Sequence, residues 1–428
     1  MDIRVTLLIL IEALFAAYLL WRSGCVRTAV QWSVVATLLL VAFVPRLLAL
    51  KYETKDYLDF LARWVDFYRQ NGGFRAIGKP VGNYNIPYLY FLALFSYSRI
   101  KDLYLIKLLS IFFDVLLAWG GMRIVSRLTD KPLRRVGVFF TLLLLPTVYL
   151  NGSVWGQCDS IFVALAVLAL ADAMEDHPVR AMVMLALSFG FKLQAVFVMP
   201  VFALLLFAGK IKWKHLPVFP LTYVILVLPA VIAGRPFKDT IMLYFNQTGS
   251  VGSSLNYNSS SIFGIFRHVQ NPEAAATAAI VAAFLFMLLV IAVCGMHYER
   301  LNDRTILIAA VLLAIGIPFL LPHMHDRYFF AADALSVILV FSLPLLAPVA
   351  ALTQFASLLG YYAYLVMKFL LYMDRGSWAL IAALIVLGVS LACELRGAPV
   401  SGQHAAKGKE PEDREMTGAE ENVLDNQQ

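Results

Sequence analysis

The sequence predicts an all-α polytopic membrane protein, and three observations predict it. The 428 residues are 61% hydrophobic and 15% charged, a balance outside the range of soluble domains. Mean hydropathy is +0.75. The apolar residues gather in runs long enough, or nearly so, to cross a bilayer.

Those runs fall at 5–21, 29–50, 102–124, 136–150, 159–174, 178–190, 193–208, 216–233, 274–296, 305–321, 328–346, 348–372 and 377–395. They predict a bundle of about 13 transmembrane helices. The first run matches a signal peptide in length, but no small-x-small cleavage site precedes Trp21-Arg22, which predicts a retained helix. Residues 1–396 form the membrane domain in this reading. From Gly397 the chain is polar and without aromatics, the composition of a disordered cytoplasmic tail.

A net charge of +7 raises the question of nucleic acid, but the cations sit in short clusters between apolar runs, where they set topology. The clusters are Arg22/Arg27, Arg123 to Arg135, Lys210 to Lys214, and Arg300/Arg304. Placing all four in the cytoplasm satisfies the alternation of spans if Tyr88–Tyr97, too short to cross, lies in the interface. The remaining polar loops then share the extracytoplasmic side: 51–101, 151–160, 191–194, 234–272 and 322–328. Cys25, Cys158, Cys294 and Cys393 have no CxxC spacing and suggest neither disulfides nor a thiolate metal site.

Within 51–101, Tyr57, Phe60, Leu61, Trp64, Phe67 and Tyr68 fall on one side of a helix, with Asp56, Asp59, Arg63, Asp66 and Arg69 on the other. This pattern suits an interfacial helix. Thr54 is placed to cap its first turn and Asp56 to meet the positive end of its dipole. Arg63 has the spacing to pair with Asp59 and Asp66. Asp56 has no such partner, so a base and a solvated surface acid are both open.

Four further groups carry polar chemistry. Trp155, Gln157 and Asp159, in the turn 151–160, have the composition of a sugar-binding set, although Asp159 or Ser160 could only cap a helix. Lys192 and Gln194 interrupt the apolar run 182–207; a lysine there either meets an anion or snorkels. His323, His325, Asp326 and Arg327 cluster at a helix end. Zinc is poorly supported by His-x-His-Asp alone, and an anion site with Arg327 and a histidine as donors needs fewer assumptions. The amide- and aromatic-rich loop 234–272 either lines a carbohydrate or lipid-headgroup cavity or is a plain connection, the reading its single residues favour. Its sequons at Asn246 and Asn258, like that at Asn151, occur readily by chance.

Asp56-Tyr57, Tyr84-Asn85-Ile86-Pro87-Tyr88, Trp155-Gly156-Gln157-Cys158-Asp159, Phe191-Lys192-Leu193-Gln194 and His325-Asp326-Arg327-Tyr328 follow one another in an order that resembles the GT-C glycosyltransferases. The nearest branch is similar to bacterial mannosyltransferases related to the GPI-anchor enzymes, over residues 30–375. The resemblance implies an inverting transferase at the extracytoplasmic face of a bacterial plasma membrane. It would move a hexose, mannose in the first instance, from a polyprenyl-phosphate donor to a glycan, glycolipid or protein hydroxyl. It implies Asp56 as base, Lys192, Arg327 and His325 at the donor phosphate, and Tyr57, Trp155, Gln157, Asp159, Gln194, His323 and Asp326 around sugar and acceptor. Fixed cations would neutralise the leaving phosphate, so neither metal nor other cofactor is expected. Asn85-Ile86-Pro87 stands where Tyr-Pro-Pro is common, and Asp326 where Glu is frequent; the first bears on acceptor identity. The alternative is a lipid-linked sugar flippase, but no repeat is visible and the unusual groups gather on one side.

Overall fold

A computed structural model describes residues 2–244 and 254–397. The described residues up to Arg396 form one compact unit. The sequon at Asn246 and the tail beyond Gly397 lie outside the described residues.

The all-α expectation holds. Helices α1 (Ile3–Arg22) and α2 (Ala29–Ala49) precede a π-helical turn, Tyr57–Leu61, that runs into α3 (Ala62–Gln70). Then come α4 (Ile86–Phe95), α5 (Asp102–Leu128), α6 (Pro132–Leu144), α7 (Asp159–Met174) and α8 (Pro178–Phe191). The second half holds α9 (Val201–Phe207), α10 (Val218–Ile232), α11 (Pro272–Met296), α12 (Asp303–Leu320), α13 (Phe330–Ser342), α14 (Ala347–Leu365) and α15 (Met373–Arg396). Among the described residues eight helices are long and apolar enough to cross a membrane, nine if the bent pair 132–144 and 146–155 counts as one span. The chain is an integral multi-pass membrane protein.

The expected count of about 13 separates into these spans and several shorter helices. The segment 193–208 is not one helix: a 3₁₀ turn, Leu193–Phe197, and Pro200 leave only the seven residues of α9. Proline cannot donate to the preceding turn, so a continuous helix stops there. α4 has ten residues, about 15 Å at 1.5 Å per residue, half the thickness of a hydrocarbon core. Most of it is buried against protein, including Tyr88, Leu89 and Leu92.

α5, α7 and α8 pack side by side as the centre of the molecule, and every residue of α7 is buried. That burial explains why α7 reads apolar on all sides. Polar groups gather at its two ends. At one end Arg123 binds Asp172 at 2.5 Å and Glu175 at 2.6 Å, and Lys210 reaches Asp176 at 3.3 Å. At the other lies Asp159. α5, 27 residues and therefore about 40 Å long, likewise separates Asp102 from Arg127. The basic loops and the unusual polar loops thus occupy opposite ends of the bundle.

The one sheet among the described residues is a parallel pair, β1 (Asn256–Tyr257) with β2 (Met324–His325). It ties the loop after residue 253 to the 322–328 turn.

Candidate active site

The turn that closes on α7 organises the site. After the π-helical segment Tyr149–Trp155, Gly156 sits at φ +80°, left-handed backbone that a β-carbon would strain. This reversal lets Trp155 and Gln157 face the same way. The Gln157 N–H donates to the Asn151 carbonyl at 2.9 Å, and its carbonyl accepts from Ser110 at 2.6 Å. Beneath it Lys107, fully buried, donates to the carbonyls of Ala49 at 3.0 Å and Tyr52 at 2.6 Å, holding the end of α2.

Asp56 meets this turn. Its Oδ2 accepts from Trp155 Nε1 at 2.9 Å and from Gln157 Nε2 at 2.8 Å. Gln157 Oε1 in turn accepts from the Tyr84 hydroxyl at 3.2 Å. Thr54 does not cap the first turn as its spacing predicts; its hydroxyl donates to the Trp155 carbonyl at 2.9 Å. Residues 155–157 thus hold the Asp56 carboxylate at the start of its helix. The Asp56 N–H donates to the Tyr364 hydroxyl at 3.2 Å.

Asp159, at the start of α7, is 1% exposed and has both oxygens engaged. Oδ1 lies 2.5 Å from Lys192 Nζ; Oδ2 accepts from Asn151 Nδ2 at 2.9 Å and lies 3.4 Å from Arg327 Nε. Asn151 also donates to the Tyr361 hydroxyl at 2.9 Å. Two cations thus share one buried carboxylate, and a buried charge without such partners would cost several kcal/mol. The Arg327 guanidinium carbon stands 5.1 Å from the centroid of the Trp155 ring. The cationic half of the site and the Asp56 half meet at that indole, Arg327 over its ring and Asp56 at its Nε1 edge.

In the 322–328 turn, burial pushes Asp326 up to about 7, with Arg327, 3.6 Å from its Oδ1, opposing the shift. His325 stacks on Tyr257 at 4.6 Å; burial, then the nearby Arg327 and Lys192, pull it down to about 4. His325 is therefore neutral near pH 7 and offers an imidazole N–H, not a cation. Gln194 Oε1, Asp326 Oδ1, Asn151 Oδ1 and Arg327 Nε are buried with no hydrogen-bond partner among the described residues.

The structure brings Asp56, Trp155, Gln157, Asp159, Lys192 and Arg327 together. It leaves two expected residues aside. Tyr57 is 3% exposed, and its hydroxyl donates to Asp102 at 3.2 Å, because the π turn points it into the core. His323, at φ +61°, contacts the Ser254 carbonyl at 2.7 Å, so it binds the neighbouring loop. Trp155 is 1% exposed and stacks on Tyr364, which leaves it no open face for a sugar. Its N–H is what it presents. Of the two pairings expected of Arg63, that with Asp59 is present at 3.9 Å, whereas Asp66 binds Arg69 instead.

Sequence reasoning passed over Tyr364, Tyr361, Asn151 as a ligand of Asp159, and the buried pair Arg46–Asp114 at 3.1 Å, to which Ser160 donates. The pair left a readable sign, since Arg46 and Asp114 each interrupt an apolar run. Two tyrosines in the aromatic end of α14 left none.

A family model described as glycosyltransferase family 87 matches residues 83–322, more than half of the chain. The chain belongs to glycosyltransferase family 87. This is a family of the GT-C type, so the multi-pass fold and the class of reaction agree. The match spans Trp155, Gln157, Asp159, Lys192 and Gln194; Asp56, Arg327 and Tyr364 lie outside it. No curated protein matches the chain.

Proposed function

We propose that this family 87 glycosyltransferase moves a hexose, mannose being the first candidate, from a polyprenyl-phosphate carrier to an acceptor hydroxyl, with Asp56 as the base. The observation that carries the reading is the contact chain Asp56–Trp155–Arg327–Asp159–Lys192, which sets a carboxylate at the Nε1 edge of one indole and Arg327, of the cation pair, over its ring. Such a spacing serves a displacement in which a proton leaves one side as negative charge develops on the other.

In that displacement the acceptor oxygen forms a bond to the anomeric carbon while the bond from that carbon to the phosphate oxygen breaks. The phosphate keeps the electron pair, and the acceptor proton passes to Asp56. Both N–H donors of the 155–157 turn converge on Oδ2, so the proton falls to Oδ1. Trp155 and Gln157 hold the carboxylate in place, as a positioned base requires. Lys192 and Arg327 carry two positive charges against one on Asp159, which leaves a net positive charge for the departing phosphate. One displacement inverts the anomeric centre. Gln194 and Asp326 supply the remaining polar contacts to sugar and acceptor, and neutral His325 an N–H donor to the phosphate. The basic loops at the opposite end of the bundle support an extracytoplasmic site under the positive-inside rule.

The test is transfer by purified protein from a panel of polyprenyl-phosphate hexoses, comparing wild type with Asp56→Asn. Removing a positioned base lowers the rate by about 10²–10⁴-fold. Folded Asp56→Asn transferring at the wild-type rate would reassign the base. No turnover of any polyprenyl-phosphate sugar by wild type would remove the donor class.

A further inference from the structure

Asp56 lacks the usual means by which a helix fixes an acid at its start. The helix it precedes opens with a π turn, and no side-chain capping bond forms there. What grips Asp56 comes from elsewhere: the Gln157 amide on Oδ2, and two rings that hold carboxylate and main chain together. Trp155 takes hold of the carboxylate through Nε1, and Tyr364 takes hold of the main chain by accepting the Asp56 N–H. These rings are stacked with centroids 3.8 Å apart and planes 12° apart. Tyr361, one helical turn before Tyr364, meets the indole edge-on at 5.5 Å and receives the Asn151 bond.

We infer that Tyr364 is a positioning residue for the transfer reaction: stacked on Trp155, it fixes the orientation of Asp56 relative to the cation pair. The inference rests on the reading of Asp56 as base. Three arguments lead to it. A carboxylate held only through its own side chain could still rotate with its backbone; the bond from its N–H to Tyr364 removes that freedom. The stack ties this grip to the turn that carries Asp159, so base and cations share one rigid support. A misplacement of about 1 Å at a reacting group costs on the order of 10²-fold in rate, which gives such a support a kinetic role. Tyr364 acts through Asp56 and Trp155, and no proton is assigned to its hydroxyl.

The experiment uses full-length protein and measures kcat and donor KM by transfer of labelled sugar, with Tyr364→Phe, Tyr364→Leu, Asp56→Asn and the double variant Asp56→Asn/Tyr364→Leu. Tyr364→Phe keeps the stack and the packing but loses the hydroxyl oxygen, and lowers kcat about 5-fold, the effect of one neutral hydrogen bond. Tyr364→Leu removes the stack and lowers kcat on the order of 10²-fold. Donor KM stays within about twofold in both, because Lys192 and Arg327 keep their ion pairs with Asp159. In the double variant Tyr364→Leu adds nothing to the loss from Asp56→Asn, since a residue that works only by aiming a base has no effect once the base is gone. A full additional loss in the double variant, or a rise in donor KM with kcat unchanged, would overturn the inference. Unchanged kcat in Tyr364→Leu beside a strong loss in Asp56→Asn would overturn it while leaving the base reading standing. A wild-type rate in Asp56→Asn would remove the base reading and the inference with it. Should Tyr364→Leu not fold, the comparison of Tyr364→Phe with Asp56→Asn/Tyr364→Phe decides by the same rule.

Discussion

Asp56 and Asp159 are two carboxylates served by one short turn, and their surroundings suit opposite tasks. Asp56 is partly buried and receives neutral N–H donors on one oxygen, from Trp155 and Gln157. Asp159 is buried outright and holds Lys192, Arg327 and Asn151. A base must be able to take a proton, and an acid clamped between two cations is held in its charged form. The difference teaches that exposure and the charge of the partners, more than the presence of an acid in a polar loop, separate a reactive carboxylate from a structural one.

The largest effect that sharpens this comparison is on folding. Asp159→Asn leaves Lys192 and Arg327 buried beside one another without their anion, and breaking a buried ion pair in this way costs about 3–5 kcal/mol. The variant is expected to lose most of its folded yield, whereas Asp56→Asn keeps it. Adding Lys192→Met removes one of the opposed cations, so Lys192→Met/Asp159→Asn should melt at a higher temperature than Asp159→Asn alone. Equal melting of Asp56→Asn and Asp159→Asn in detergent would erase the distinction.

Next comes Arg327→Lys, which keeps the charge. An ammonium cannot reproduce the planar fork of a guanidinium, so donor KM should rise about tenfold while the variant folds. An unchanged KM would detach Arg327 from the donor phosphate.

These outcomes depend on features that the sequence shows unevenly. The helical membrane fold was legible because hydropathy over long windows is insensitive to local detail. The turn 155–159 and Lys192 were legible because polar groups inside apolar runs are costly and stand out. The direction each side chain faces was not. Trp155 has the composition of a sugar platform, yet its ring is packed against Tyr364 and only its N–H reaches the site. Tyr57 reads as a neighbour of Asp56, but the π turn rotates it onto Asp102. A π turn changes the angular step per residue, and no composition rule at this position announces it. Tyr364 is about 300 residues from Asp56 in sequence, a pairing that only tertiary structure supplies.

A smaller effect separates the 322–328 turn from the two carboxylates above. Asp326 binds its proton up to about pH 7 when folded, against an ordinary 3.8, so stability is full below about pH 4 and falls as pH rises toward 7. His325 titrates near 4 when folded, against 6.5, so its contribution is full above pH 6.5 and falls as pH drops toward 4. Between pH 4 and 6.5 the two slopes oppose each other, each with a ceiling of about 1.4 kcal/mol per pH unit. Wild-type melting temperature should change little from pH 6.5 to 5. His325→Asn should melt higher at pH 5 than at pH 6.5, and Asp326→Asn should melt lower. The same trend in both variants would contradict the opposed titrations.

The smallest effect belongs to Asp59, the matched control for Asp56 on the same stretch of chain. Its partner Arg63 lies 3.9 Å away, with 73% of the Arg63 side chain and 43% of the Asp59 side chain exposed. Water screens an ion pair at that exposure, and holding two side chains in one geometry offsets what attraction remains. Pairs spaced four residues apart on a helix are worth about 0.3–0.5 kcal/mol. Asp59→Asn should therefore leave melting within about a degree or two of wild type and transfer close to the wild-type rate, since no hydrogen bond ties Asp59 to the 155–159 turn among the described residues. The contrast with Asp56→Asn is the strictest form of the comparison, because both changes delete one negative charge within a single turn of chain and differ only in what the carboxylate touches. If Asp59→Asn lost activity as deeply as Asp56→Asn, net charge at the membrane surface, and not a positioned base, would be what the loop supplies.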